Sequence, residues 1–204
     1  MVDRHVAARG ISDARILQAM REVPRHLFVP TVVASKAYGP GALPIGANQT
    51  ISQPWIVARM IELLELTGSE KVLEVGTGTG YQAVVLSKLA SRVFSIERVN
   101  ELATRATELI RALKISNISV KVFDGTFGWS DQAPFDRIIV AAGAPEVPQP
   151  LVQQLARAGT MIIPIGPEKT QRLARVRRRG TSVQIEDCGA AEFVPLVGRY
   201  GWKE

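Results

Sequence analysis

A glycine-rich stretch is the part of this sequence whose residue types and spacing are best suited to chemistry. In VLEVGTGTGYQ, residues 72–82, an apolar run leads into Gly76, Gly78 and Gly80, and a helical pattern begins immediately afterwards. Glycines at such a turn allow a sharp bend and leave no Cβ in the way of a ligand, which the N–H groups of the following helix then face. A dinucleotide turn, G-x-G-x-x-G, would need glycine at position 81, which is Tyr81. The G-x-G-x-G spacing therefore predicts a nucleotide-type ligand without a pyrophosphate.

Acidic residues at the ends of the next two predicted strands complete this site. Glu97 ends the second strand, where a carboxylate can accept hydrogen bonds from the ribose hydroxyls. Asp124, followed by Gly125, ends the third strand, where it could accept a hydrogen bond from an adenine amino group. Both carboxylates could also cap the helices that follow them, and the two roles are compatible. Together with the glycine spacing they favour S-adenosyl-L-methionine, the cofactor of class I methyltransferases.

A third carboxylate, Glu74, lies inside the first strand just before the glycine turn, and we expect it to be buried. In that position it could stabilise a nearby cation, such as the sulfonium of the cofactor. A purely structural role, in which it accepts hydrogen bonds from backbone N–H groups of the turn, is equally open.

Alternating strands and helices must position these residues. Short, nearly all-apolar runs predict five buried strands, at residues 71–75, 92–97, 118–124, 137–142 and 160–166. Apolar periodicity predicts helices that begin at a Ser12 N-cap, at Pro54 with a C-terminal cap at Gly68, at Tyr81, near Leu102, and over 151–158. Because the strands are apolar on both faces, they indicate a parallel sheet covered on both sides.

The end of the chain adds a hairpin to this sheet. Two extended runs, RLARVRRRG and TSVQIEDC, meet around Gly180. The predicted fold is therefore α/β: a Rossmann-like, doubly wound, mostly parallel seven-stranded sheet with helices on both faces, antiparallel strands at one edge and an N-terminal helical cap. We expect a single class I methyltransferase domain over residues 1–204. In it, 1–55 form the cap and an active-site loop, and 56–204 form the core with its C-terminal hairpin. The Pro- and Gly-rich segment 29–54 is predicted as a long functional loop.

Composition and charge exclude several classes of protein. With one cysteine, Cys188, and two histidines, the chain has no intramolecular disulfide framework, and we expect no metal site. No apolar run approaches the ~18 residues of a membrane span, and the charged N-terminus lacks an apolar leader region, so we expect a cytoplasmic location and no membrane partner. The net charge is +6, and most of the excess lies in an arginine cluster formed by Arg172, Arg175, Arg177, Arg178 and Arg179. This cluster is either a solvated strand face at a sheet edge or a patch for anionic peptides or nucleic acid.

Several longer motifs resemble one family of class I methyltransferases. They are VPRHLFVP (23–30), LPIGANQTISQPWIVARM (43–60), LEVGTGTGYQ (73–82), DGTFGW (124–129), FDRIIVAAGAPEVP (135–148), the RRRG run (177–180) and FVPLVG (193–198). In this order they resemble protein-L-isoaspartate O-methyltransferases over almost the whole chain. The resemblance implies a repair enzyme that methylates the free α-carboxylate of L-isoaspartyl residues in damaged proteins and peptides. The ester then returns to a succinimide, part of which reopens as normal aspartate.

The resemblance also implies roles for individual residues. The QTISQP loop would close over the cofactor, with Ser52 donating to the acceptor carboxylate and Thr50 assisting. An alternative for Ser52 is to N-cap the helix that starts near Pro54. Val194 and Leu196 would bind the substrate main chain by strand addition, or belong to a plain core strand. The expected cofactor-binding residues are Ile51, Glu74, Gly76, Thr77, Gly78, Gly80, Glu97, Arg98, Asp124 and Gly125.

Two positions in the loop depart from the pattern of the family. Asn48 stands where this loop usually has glycine, although Asn tolerates positive φ better than most residues. Pro40 replaces a residue that is often acidic. Both departures bear on how the loop closes rather than on the reaction.

Two other functions remain compatible with the sequence. One is a class I methyltransferase acting on RNA, with the arginine cluster as phosphate contacts. The stretch AAGAPEVP (141–148) lacks the aromatic and amide-binding residues that such base-modifying enzymes often carry. The other is a non-enzymatic, basic, Rossmann-like nucleic-acid-binding protein. We expect a monomer that does not bind nucleic acid.

Overall fold

A mixed β-sheet forms the centre of the computed structural model, which describes residues 1–203. The strands are β1 Leu43–Gly46, β2 Gln49–Ile51, β3 Lys71–Val75, β4 Arg92–Glu97, β5 Ile118–Val122, β6 Phe135–Val140, β7 Leu155–Ile165, β8 Gln171–Arg179 and β9 Ser182–Ala191. Seven of them form one sheet in the order β5-β4-β3-β6-β7-β8-β9. The strands from β5 to β7 run parallel, whereas β8 and β9 are antiparallel. The predicted fold class is confirmed.

Helices cover both faces of this sheet. They are α1 Ala14–Glu22, α2 Pro54–Leu63, α3 Tyr81–Ser87, α4 Asn100–Ala112 and α5 Gln149–Gln154. Alternating residues of β3, β4, β6 and β7 enter different apolar clusters: Val72 packs with α2 and α3, and Leu73 packs with Leu151 of α5. This alternation is why the strands are apolar on both sides. Within residues 1–203, no helix is both long and apolar enough to cross a membrane.

The first predicted helix is present, but its N-cap is not Ser12. The helix α1 is capped by Asp13, whose carboxylate accepts a hydrogen bond from the N–H of Arg15 at 2.8 Å. Both residue types cap helices well, so residue type alone could not decide between these neighbours.

The second helix ends earlier than predicted. Leu64 is the C-cap of α2 and Glu65, at φ 53°, takes the left-handed conformation that was expected of Gly68. Leu64 and Leu66 are both buried. Residues two positions apart face nearly opposite sides of a helix, so burying both in one core requires the chain to leave the helix at this point.

The predicted helix over 151–158 is wrong in its second half. The helix α5 stops at Gln154 and β7 begins at Leu155, which pairs with Phe135 of β6. Arg178 of β8 donates hydrogen bonds to the backbone carbonyls of Gln153 and Leu155, at 3.1 and 2.6 Å. Contacts with strands distant in sequence therefore override the local helical pattern.

The predicted loop 29–54 is more ordered than its Pro and Gly content indicated. It contains a 3-10 turn at Thr31–Lys36 and an antiparallel hairpin of β1 and β2, which we call the lid hairpin. The hairpin turn places Ala47 and Asn48 at φ 49° and 55°. Asn is among the residues that tolerate this conformation, and the turn forms without glycine at position 48.

Candidate active site

A cleft opens at the carboxyl ends of β3, β4 and β6, beneath the lid hairpin. In the strand order, β4 lies on one side of β3 and β6 on the other. The direction in which strands are added to the sheet therefore reverses at β3. Such a switch point is where doubly wound sheets bind ligands. The cleft is walled by the glycine turn, by Thr50, Ile51 and Ser52 of the lid hairpin and its following loop, and by the C-terminal segment 194–197.

The glycine turn has the sharp bend that its sequence predicted. Gly76, Gly78 and Gly80 have φ values of 96°, 54° and 89°, in the left-handed region that favours glycine. The N–H groups of Gly76 and Thr77 both donate to the carbonyl of Ile96, at 2.8 and 3.2 Å, which anchors the turn to β4. Gly76, Thr77 and Gly78 line the cleft, whereas Gly80 lies behind it as the N-cap of α3.

Glu97 lines the cleft wall with its carboxylate held at both oxygens. One oxygen accepts from the N–H of Gly78 at 2.8 Å, and the other accepts from the N–H of Val99 at 2.9 Å. The carboxylate thus joins the glycine turn to Val99, the N-cap of α4. No side chain caps this helix, so the capping role expected of Glu97 is wrong. Each carboxylate oxygen has a second lone pair, so a ligand hydroxyl in the cleft can still bind. Arg98 lies next to it on the same wall.

Glu74 is completely buried below the turn. Its Oε2 accepts a hydrogen bond from the hydroxyl of Ser95 at 2.5 Å, and Ser95 also contacts the hydroxyl of Thr77 at 2.5 Å. The structural alternative for Glu74 predicted donors from backbone N–H groups of the turn. The donor is instead a side-chain hydroxyl, that of Ser95. Burial raises the pKa of Glu74 to about 8, and the nearby charge of Glu97 adds to this.

The polar atoms around Glu74 are only partly satisfied. Among the described residues, Oε1 of Glu74, Nε2 of Gln82 and Oγ1 of Thr79 are buried without a hydrogen-bond partner. Thr79 and Gln82 both line the cleft. Because buried polar atoms are nearly always paired, this part of the wall is suited to a ligand with polar groups of its own.

The structure separates Asp124, expected to bind the adenine amino group, from its neighbour Gly125, which was also expected to bind the cofactor. Gly125 lines the cleft, but Asp124 lies in a neighbouring shallow pocket. The Asp124 carboxylate accepts hydrogen bonds from the N–H and hydroxyl of Thr126, at 2.9 and 2.7 Å, and from the N–H of Arg199 at 2.8 Å. It caps a 3-10 turn and ties down the C-terminal segment.

Ser52 lies where the cleft meets a second groove. Thr50, Ser52 and Val194 line both depressions, and the groove continues past Trp55 and Phe193. The alternative role of Ser52 is wrong: the N-cap of α2 is Gln53, and no side chain caps this helix. The Ser52 hydroxyl therefore does not cap the helix. Ser52 lies between the cleft and the groove, both of which a ligand could fill.

Val194 and Leu196 line the cleft, but their backbone is largely paired within the chain. The N–H of Gly143 donates to the carbonyl of Val194 at 2.8 Å, and the N–H of Leu196 donates to the carbonyl of Gly143 at 2.8 Å. The carbonyl of Leu196 accepts from the N–H of Trp202, also at 2.8 Å. Strand addition at Leu196 would require its N–H and carbonyl to be free, and both are already paired within the chain.

Arg25 is a residue of the site region that the sequence reasoning missed. It is 0% exposed, and it donates to the backbone carbonyl of Ser52 at 2.6 Å. Its position in the motif VPRHLFVP, three residues before the buried Phe28, was the one signal that could have revealed it.

The arginine cluster lies away from the cleft, on the sheet. Arg175 and Arg177 of β8 form ion pairs with Glu65 and Glu186 at 2.6–3.1 Å. Arg172 pairs with Asp187 at 2.7 Å. The cluster therefore sits one strand inside the edge formed by β9. Three of its five arginines pair with carboxylates, and Arg172 also lines the groove beside Ser52. Within residues 1–203, no cluster of three or more His, Cys, Asp or Glu side chains is placed to hold a metal ion.

Known proteins resemble this chain along its whole length. A family profile described as protein-L-isoaspartate(D-aspartate) O-methyltransferase matches residues 1–201. Protein-L-isoaspartate O-methyltransferase 1 of Syntrophobacter fumaroxidans is 51% identical over 203 residues, which cover 100% of this chain and 95% of the relative. The protein-L-isoaspartate O-methyltransferase of Desulfosudis oleivorans is 50% identical over 204 residues, with coverages of 100% and 92%.

Solved structures agree with these sequence matches. A protein-L-isoaspartate O-methyltransferase superposes with a TM-score of 0.88 at 28% identity, over 98% of this chain and 67% of that one. A Plasmodium falciparum structure, described as a protein-L-isoaspartate O-methyltransferase in complex with S-adenosyl-L-homocysteine, gives a TM-score of 0.79 at 26% identity, over 95% of both chains.

Proposed function

This chain belongs to the protein-L-isoaspartate O-methyltransferase family, and we propose that it methylates the free α-carboxylate of L-isoaspartyl residues in damaged proteins and peptides, using S-adenosyl-L-methionine. The observation that carries the proposal is the meeting of two spaces at Ser52. The cleft holds the glycine turn and Glu97, and the groove extends from it along the surface. A cofactor in one and a peptide in the other would come together at this residue.

The cleft suits the cofactor. The buried, unpartnered polar atoms of Thr79 and Gln82 in its wall suit the amino-acid portion, and the Glu97 carboxylate suits the ribose hydroxyls. The turn from Gly76 to Gly80 carries no Cβ at its three glycines. Ile51, Thr77, Arg98 and Gly125 complete the wall, while Glu74, Gly80 and Asp124 act from behind it by holding the turn and the C-terminal segment.

The reaction asks for positioning rather than for a strong base. The cofactor supplies an electrophilic methyl group, and the acceptor is already a carboxylate at neutral pH, since its unperturbed pKa is about 3–4. The Ser52 hydroxyl holds one carboxylate oxygen, with Thr50 beside it, so that the other oxygen faces the cleft. The lid hairpin excludes water from this point. Orientation of this kind can supply up to ~7–11 kcal/mol of a barrier.

The groove suits a peptide that carries the acceptor. It runs from Ser52 past Trp55, Gln171 and Phe193, and Lys169 lies at its rim. Val194 lines both the groove and the cleft, whereas Leu196 lines the cleft alone; the carbonyl of each and the N–H of Leu196 are paired within the chain.

We propose further that the chain acts as a cytoplasmic monomer and as one domain, with 1–55 as cap and lid and 56–204 as core. The single Cys188 is unpaired, as suits a reducing compartment. Nucleic acid is not the expected partner, because the arginine cluster is engaged with Glu65, Glu186 and Asp187.

The test uses labelled S-adenosyl-L-methionine and two peptides that differ only in isoaspartate against aspartate. We expect base-labile label on the isoaspartyl peptide alone, since a methyl ester is cleaved by base. Equal labelling of both peptides, or label on RNA instead, would overturn the proposed substrate.

A further inference from the structure

We propose that Arg25 is a positioning residue for the methyl acceptor: its guanidinium fixes the Ser52 backbone at the junction of cleft and groove and holds there a positive charge that an anionic acceptor balances. The inference rests on the proposed function, because it takes the acceptor to be a carboxylate at Ser52. It assigns a task to the motif VPRHLFVP that the cofactor cleft itself does not explain.

The guanidinium is built rigidly into the base of the lid. Its Nε donates to the carbonyl of Ala37 at 2.9 Å, and its Nη2 donates to the carbonyl of Ser52 at 2.6 Å. These two bonds join Ala37, at the end of the 3-10 turn before the lid hairpin, to Ser52, the first residue after strand β2. One planar group therefore sets the spacing between the two ends of the lid.

The same group also touches the cofactor cleft from behind. The Cζ of Arg25 lies 4.6 Å from the ring centroid of Tyr81, and the ring packs edge-on against Phe28 at 5.5 Å. Tyr81 lines the cleft and is 2% exposed. The Ser52 backbone and the first residue of α3 are thus held against one guanidinium.

The charge of Arg25 has no carboxylate counter-charge within the described part of the chain. No carboxylate of residues 1–203 forms an ion pair with it, and its Nη1 has no partner there in hydrogen-bond geometry. Burial lowers the pKa of Arg25, and the neighbouring Tyr81 hydroxyl partly offsets this effect. Arginine keeps its proton in proteins, and a buried unpaired charge is costly. Backbone carbonyls and an aromatic face compensate it only in part. A carboxylate bound at the Ser52 hydroxyl would be held by the same residue whose backbone carbonyl Arg25 binds, and its negative charge would complete the compensation.

Arg137 provides a matched control. It too is an arginine that holds backbone carbonyls, those of Leu64 and Asp136, at 2.5 and 2.9 Å. It lies at the other end of β6, away from the cleft. Arg137→Met therefore removes a comparable set of hydrogen bonds without touching the lid.

The experiment compares two peptides, one with the isoaspartyl α-carboxylate and one with a neutral α-carboxamide in its place. Binding of both is measured by calorimetry with S-adenosyl-L-homocysteine present, in the wild type and in Arg25→Met, Arg25→Lys and Arg137→Met. We expect Arg25→Met to reduce the preference for the carboxylate by about tenfold or more, whereas Arg25→Lys, which keeps the charge, and Arg137→Met should retain it.

Turnover supplies the second readout. Arg25→Lys should keep the KM for the isoaspartyl peptide but lower kcat, because an ammonium cannot bridge both carbonyls in one plane. Arg25→Met should change both constants. If Arg25→Met does not fold, Arg25→Gln replaces it as the uncharged variant.

Equal weakening of both peptides in Arg25→Met, or an unchanged preference, would show that Arg25 serves stability alone. Methylation of the isoaspartyl peptide by the wild type tests the proposed function separately, so the two ideas can fail independently.

Discussion

The carboxylate of Glu97 joins Gly78 to Val99 and also faces the cleft. We expect Glu97→Ala to weaken binding of S-adenosyl-L-homocysteine by about 10–150-fold, because charge-assisted hydrogen bonds worth ~1.5–3 kcal/mol are lost. Calorimetry measures this directly. The control is Glu101→Ala, one turn along α4 at an exposed position, which should leave the affinity unchanged. Unaltered affinity in Glu97→Ala would refute the ribose role.

Ser52→Ala should separate turnover from stability. Since Ser52 does not cap α2, we expect an unchanged melting temperature and nearly unchanged affinity for S-adenosyl-L-homocysteine. Turnover of an isoaspartyl peptide should fall by about 10–150-fold, because one hydrogen bond to a charged acceptor is lost. Initial rates and thermal melts of both proteins check this. A drop in melting temperature with full turnover would point to a structural role instead.

Glu74 makes stability depend on pH in the ligand-free protein. Its pKa is raised from 4.5 to about 8, so between these values the folded state binds a proton that the unfolded state lacks. The free energy of unfolding therefore decreases as pH rises through this window. Glu74→Gln removes the titration. We expect the stability of the wild type relative to the variant to fall steadily from about pH 5 to about pH 8, as measured by urea unfolding. A difference that stays flat or grows would contradict the burial of this carboxyl as the cause.

The junction between β5 and the turn at Gly125–Phe127 packs directly beneath β3. A Cβ on Gly125 would collide with Cγ1 of Val75, a residue at the end of β3 that also lines the cleft. We expect Gly125→Ala to destabilise the protein by about 1–3 kcal/mol through overpacking. Gly41→Ala is the control, because nothing lies within 4 Å of a Cβ there. Urea unfolding compares the two, and equal stabilities would show that the junction can move aside.

Elements differ in how well the sequence predicted them, and burial explains the difference. The strands β3 and β4 have the predicted bounds because both faces of each are buried and turn residues flank them. The lid hairpin was predicted as a loop, since a three-residue strand among glycines and prolines has almost no periodicity. The junction of α5 and β7 was wrong because bonds from Arg178, far along the chain, decide it.

The distribution of charge over the molecule bears on its partners. The net charge is +6, but the arginine cluster is paired with carboxylates on the sheet. We expect the rate of methylation of a small neutral isoaspartyl peptide to change little between 50 and 200 mM salt. Binding to nucleic acid through ~5 free arginines would weaken steeply over the same range. A steep loss of methylation would show that the substrate is held mainly by exposed charge.

The amino-acid sequence determined the fold class and the cofactor turn, because these depend on short-range spacing and on apolar periodicity. The folded chain decided which groups share a space. Asp124 binds the C-terminal segment, Ser52 does not cap a helix, and Arg25 binds the backbone at the end of the lid hairpin. Such outcomes depend on hydrogen bonds between residues that are distant in the chain, and a local pattern carries no information about those partners.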